Sequence, residues 1–127
     1  MRFMMMVKHS ENQGPPPQGF MEVMAKLGED AVKAGTMVIS GGLAATAAST
    51  RVRLSKGQIN AIDGPFTEAK EVLGGYWMIE VKSREEAIAW AKRCPASSNE
   101  IIEIRQVMEM SDFPADVAEA VARLTDL

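Results

Sequence analysis

Residues 2–9 read RFMMMVKH, and this run constrains the fold more than any other part of the chain. Alternate side chains of a strand face opposite ways. Phe3, Met5 and Val7 therefore form one face, with Met4 and Met6 on the other, and the middle of the strand is apolar on both sides. A strand of that kind belongs in a sheet covered on both faces. The chain has 127 residues, 46% of them apolar, which suits a single domain with one packed core. The cover for the second face must come from within that one domain or from a second copy.

The rest of the chain supplies the remaining elements in order. Gly14-Pro15-Pro16-Pro17 makes a loop between Ser10 and Gly19. A helix follows over about residues 17–34, because Phe20, Val23, Met24, Leu27, Ala31 and Ala34 keep helical spacing and Gly35 stands at the C-cap. Thr36 to Ser40 is β-rich, Gly41-Gly42 breaks it, and the small residues Leu43 to Thr50 read as a flexible loop. Arg51 to Ile62 is a hairpin turning at Lys56-Gly57. Residues 72–82 form the strongest strand, with Gly74-Gly75 marking a bulge or a close backbone approach. Ser83-Arg84-Glu85-Glu86 is a capping box opening a helix that runs to about Cys94, stopped by Pro95. Glu100 to Met110 alternates as a last strand, and Phe113, Val117, Val121 and Leu124 mark a C-terminal helix over about residues 113–125.

This order, β-α-β, hairpin, β-α-β, then α, is an α+β arrangement: the ferredoxin-like fold with a hairpin inserted mid-chain, one domain over residues 1–127 with the last helix as an appendage. Two helices cover one face of such a sheet. Several hundred Å2 of apolar surface on the other face would be unusual for a monomer. A two-fold homodimer packing sheet against sheet is the expected solution, and a C-terminal helix folded back over the open face is the alternative.

Composition removes several function classes. Cys94 has no intrachain partner, and with one histidine and one cysteine the chain cannot assemble a structural zinc site by itself. A net charge of −3 argues against a nucleic-acid surface. The apolar run Phe3 to Val7 is too short for a secretory signal, and no stretch approaches a membrane span, so a cytoplasmic protein without membrane contact is expected. G-x-G-x-x-G, P-loop, H-E-x-x-H, C-x-x-C and G-x-S-x-G patterns are all missing, and no cofactor or metal is expected.

Asp63-Gly64-Pro65-Phe66-Thr67-Glu68-Ala69-Lys70-Glu71, followed by Val72-Leu73-Gly74-Gly75-Tyr76-Trp77, closely resembles the signature of the DGPF proteins of the YCII-related group. Arg2-Phe3-Met4, Val32-Lys33-Ala34-Gly35, Glu85-Glu86-Ala87, Ala91-Lys92-Arg93-Cys94-Pro95 and Ile102-Glu103-Ile104-Arg105-Gln106-Val107 extend the resemblance over nearly all of residues 1–113. It implies a dimeric α+β barrel made of two ferredoxin-like units. Most of that group is uncharacterised; some YCII relatives are small lyases acting on chlorinated aromatics, and some DGPF proteins are encoded beside sigma factors of the extracytoplasmic-function type. YCII-type proteins are also associated with a His–Asp pair, for which His9 and Asp63 would be the counterparts here.

The residues that could carry chemistry follow from both lines of reading. Asp63 either latches its loop through backbone hydrogen bonds or acts as a general base at a cleft mouth. His9 is the one side chain whose unperturbed pKa lies near neutrality; it is either a catalytic partner of Asp63 or an ordinary strand-end residue. Glu68 and Lys70 form a solvated charged turn or reach the same cleft to orient a polar ligand. Tyr76 and Trp77 put one aromatic on each face of the strongest strand, one in the core and one toward a pocket or dimer seam. Glu103 and Arg105 either protect a sheet edge or, if that face lines a barrel interior, must pair or hold a ligand. Cys94, at a helix C-terminus, is a poor nucleophile. The expected function is small-molecule acid–base chemistry, lyase-like, on a cyclic or aromatic compound. The alternative is a non-catalytic ligand sensor or partner protein linked to a sigma-factor regulator.

Overall fold

A computed structural model describes residues 1–10, 17–66, 71–95 and 100–124. Strand β1 spans Arg2–His9, helix α1 Phe20–Lys33, β2 Met37–Gly42, β3 Thr50–Ser55, β4 Gln58–Asp63, β5 Val72–Glu80, α2 Arg84–Ala91, β6 Ile101–Gln106 and α3 Ala115–Leu124. β2, β5, β1 and β6 lie in that order in one sheet, every neighbour antiparallel, while β3 and β4 form a separate ribbon. This is the expected α+β, ferredoxin-like order. The second helix and the last strand come out shorter than their hydrophobic patterns, α2 ending at Ala91, ahead of Pro95, and β6 at Gln106, ahead of the Met110–Asp112 turn.

β1 is paired along both edges, with Met5 opposite Trp77 on one side and Ile104 on the other. Its burial alternates strictly over residues 2–7: Phe3, Met5 and Val7 are buried, while Arg2, Met4 and Met6 are half-buried. Phe3, Met5, Val7, Trp77, Ile79, Val81 and Ala87 make the core, with Met5 and Ile79 fully buried. Met24, Met37, Trp90, Ile102 and Ile104 pack around them from α1, α2 and the outer strands. The helices thus cover one face. The other presents Met4, Met6, Tyr76 and Met78, bordered by the ion pairs Arg2–Glu80 at 3.4 Å and Lys8–Glu103 at 3.0 Å.

Local chemistry sets the helix ends. The amide of Gly35, at φ +73°, donates to Val32 and that of Thr36 to Ala31, closing α1 in a Schellman motif whose left-handed residue favours glycine. Buried Thr36 also donates its hydroxyl to the Ala31 carbonyl, so its one polar side-chain atom is satisfied. At α2, the Ser83 hydroxyl accepts from the Glu86 amide, while Glu86 reaches back to the amide of Lys82 rather than that of Ser83. The box predicted from sequence is therefore offset by one residue on its return bond. Asp30 of α1 takes a hydrogen bond from Lys26 and pairs with Arg93 beyond α2, tying the two helices together.

Leu43 to Thr50 is more structured than its small residues suggest. Thr46–Ala48 form a short 3-10 turn, and the amide of Leu43 donates to the Gly74 carbonyl at 2.9 Å. No helix among the described residues is long and apolar enough to cross a membrane.

Two outcomes are expected. Met5→Ala removes a fully buried side chain from the central strand and should lower the unfolding free energy by about 2–5 kcal/mol in urea titrations. Lys26 and Arg93 hold the Asp30 carboxyl below its ordinary value. Its stabilisation is therefore present above the usual carboxylate range, and is lost as pH falls through the depressed folded value. Asp30→Asn should melt below the wild type at pH 7, and the gap should close under acid conditions.

Candidate functional site

The end of the sheet that carries His9 is built around a bulge. Val7 pairs with Gly75 but Lys8 pairs with Leu73, so Gly74 is an extra residue in β5. The half-buried His9 imidazole occupies the place where a Cβ on Gly74 would stand, and any larger residue there would push against it. Gly74 thus serves both expectations for the Gly-Gly pair, bulge and close approach.

The segment after Leu43 joins this bulge to the D-G-P-F turn. Leu43 is bonded to Gly74; the carbonyl of Ser49 accepts from the Gly64 amide at 2.8 Å; the Thr46 hydroxyl accepts from the Phe66 amide at 3.2 Å. Gly64 has no side chain to spare, since the Thr46 carbonyl fills the position of its Cβ. Phe66 is buried, with the Arg51 guanidinium carbon 3.8 Å from its ring centroid. It anchors the turn beneath the hairpin, outside the main core cluster. The exposed Asp63 accepts from the Thr50 hydroxyl at 2.8 Å, a cross-strand side-chain bond where the sequence suggested backbone donors. His9 thus packs on Gly74, whose carbonyl is bonded to Leu43, while Asp63 precedes Gly64, which is bonded to Ser49. Among the described residues no hydrogen bond joins His9 to Asp63.

The other candidates fall in separate places. Trp77 faces the helices and, with Met24, Leu27, Met37 and Trp90, lines an apolar cavity of about 110 Å3. Tyr76 lies on the opposite face, its ring packed across Gly41, where an added Cβ would come within 2.8 Å of Oη. Arg105 shares that face, opposite Met4, and is exposed on β6, an edge strand. Its neighbour Glu103 is paired with Lys8, so the strand carries charge along the open edge, as edge protection requires. Glu68 and Lys70 lie outside the described residues. Burial pushes the Cys94 thiol up, and the charge of Glu100 adds to the shift, which suppresses the thiolate. Among the described residues, no three His, Cys, Asp or Glu side chains gather as metal ligands would.

Sequence reasoning missed Thr46, Thr50 and Arg51, which hold the D-G-P-F turn. Short polar residues in a small-residue loop carry no periodic signal, and their partners lie 13 to 20 residues away for the two threonines. Replacing Gly74 by Ala should displace the imidazole. In a Gly74→Ala protein the His9 ring proton signals should shift in NMR spectra, and His9→Gly in the same chain should recover the melting temperature lost to the clash.

A sequence profile of the YCII-related domain matches residues 1–111, taking in all six strands, α1 and α2 and leaving α3 outside. An uncharacterised protein of Rhizobium meliloti (strain 1021) is 38% identical over 61 residues, 48% of this chain and 49% of that protein. The match thus spans about half the length of that curated relative. The family profile covers the whole sheet and both helices packed on it, and on that ground the chain belongs to the YCII-related domain family.

Proposed function

We propose that the protein works as a homodimer that binds a small cyclic or aromatic molecule at the His9 end of the sheet and carries out acid–base chemistry on it without a resident cofactor. The observation that carries this reading is the seat of the His9 imidazole over Gly74. A bulge and a missing side chain leave room for a group suited to proton transfer near neutral pH. Asp63 is already engaged by Thr50, so in this reading His9 moves the proton and Asp63 fixes the loop beside it. Tyr76 supplies an aromatic surface on the open face for a ring-shaped ligand.

The homodimer is favoured by the same face. Met4, Met6 and Met78 are half-buried there, with no helix of the βαβ units over them. A second sheet would complete their burial, and a two-fold axis is the simplest way to provide one. The resemblance to DGPF proteins supports the same assembly.

A second reading, a non-catalytic ligand sensor, is favoured by the Asp63–Thr50 bond, because it leaves His9 without a carboxylate partner among the described residues. Its tie to a sigma-factor regulator rests on the resemblance alone.

A thermal-shift and turnover screen of small aromatic and cyclic acids separates these readings. The enzyme reading expects a compound that is transformed by the wild type and by Asp63→Asn of matched foldedness, with turnover at least 100-fold lower in His9→Gln. A compound that stabilises wild type and His9→Gln equally and is recovered unchanged would establish the sensor instead.

A further inference from the structure

The β3–β4 ribbon stands apart from the sheet, and all twelve of its strand residues are exposed. Lys56 and Gly57, at φ +52° and +75°, form its tight turn. Cross-strand pairs Val52–Ala61 and Leu54–Ile59 place four apolar side chains on one side of the ribbon, with Leu54 and Ile59 each 74% exposed. A lone two-stranded ribbon is marginal in water, and an apolar stripe along one marks a contact surface.

The opposite end of the sheet has the complementary shape. Arg2 and Glu80, on the open face, line with Met108, Met110, Phe113 and Val121 a groove of about 490 Å3. α3 borders it and still leaves Val117 38% and Leu124 85% exposed. Charge is complementary as well. Residues 50–63 contain Arg51, Arg53 and Lys56 against one acidic residue, Asp63, whereas residues 109–119 contain Glu109, Asp112, Asp116 and Glu119 and no basic one.

We infer that the β3–β4 ribbon of one copy lies in the α3 groove of a second copy, with the apolar stripe on the methionines and the basic tip of the ribbon, which carries Arg53 and Lys56, beside the acidic segment. The inference rests on the homodimer proposed above and adds its geometry. The ribbon leaves the sheet at the His9 end, through the Leu43–Gly74 and Gly64–Ser49 bonds, and the groove lies at the Arg2 end. A two-fold axis between the sheets and running across the strands lays each His9 end over the partner's Arg2 end. Both arms then meet both grooves at once. The reach is adequate: β1 is about 27 Å long and the ribbon about 20 Å, at roughly 3.4 Å per residue. Of the groove's lining residues, Phe113 and Val121 lie beyond the stretch matched by the family profile, and the rest lie within it.

The test uses the full chain with Cys94→Ala as background. Leu54→Cys protein and Val117→Cys protein are mixed and oxidised, and light scattering measures the wild-type mass. The arm exchange expects a dimer, and a covalent dimer that forms on mixing at least tenfold faster than in either variant alone. It also expects Arg53→Glu/Lys56→Glu to raise the dimer dissociation constant at least tenfold, with Asp116→Lys/Glu119→Lys in the same chain restoring it. A wild-type dimer that neither cross-links this way nor responds to the charge changes would overturn the arm exchange and leave the homodimer standing. A wild-type monomer at 100-fold dilution series concentrations up to about 100 μM would overturn both, since that dissociation constant is weaker than a standard interface provides.

Discussion

β1 is the strand on which the rest depends. It is hydrogen-bonded along both edges, its inward side chains Phe3, Met5 and Val7 are buried, and Met5 and neighbouring Ile79 are fully so. α1 and α2 take their places by covering that face, and β2 and β6 become the edges because β1 and β5 fill the centre. A buried strand leaves no backbone donor to spare, so irregularity is pushed to the end of the ladder. That is where the Gly74 bulge lies and where His9 is held.

The chemistry of the candidate site grows out of that displacement. An extra residue in β5 breaks the alternation just where β1 ends, and glycine at that position leaves space for an imidazole. The 43–49 segment then spans from the bulge, through a backbone bond, to the D-G-P-F turn, through a backbone and a hydroxyl bond. Asp63 is drawn into the hairpin by Thr50, and Phe66 is covered by Arg51. The signature segment is thereby explained as a latch that ties the hairpin to the 43–49 segment.

Much of the fold was legible in particular residues. RFMMMVKH announced a central strand through its apolar alternation, Gly35 and Ser83 announced helix ends through conformational and capping demands, and Lys56-Gly57 announced the hairpin turn. Local periodicity and local backbone geometry act over a few residues, and so they survive in the linear text. The site was less legible. Trp77 and Tyr76 were assigned to opposite faces correctly by alternation, yet which one faced the helices required the sheet order. The order inside the Leu43–Thr50 loop came from bonds to Gly74, Gly64 and Phe66, which no local pattern encodes.

By itself, the sequence determined the family, the element order and the presence of a sheet with an apolar second face, because each depends on residue spacing along the chain. Tertiary structure alone decided that His9 rests on Gly74, that Asp63 is held by Thr50, and that an exposed ribbon and the groove beside α3 lie at opposite ends of the sheet. Those are relations between segments that meet only when the strands pair in a particular register. Register follows from the summed burial of many side chains, which no single stretch of the chain specifies.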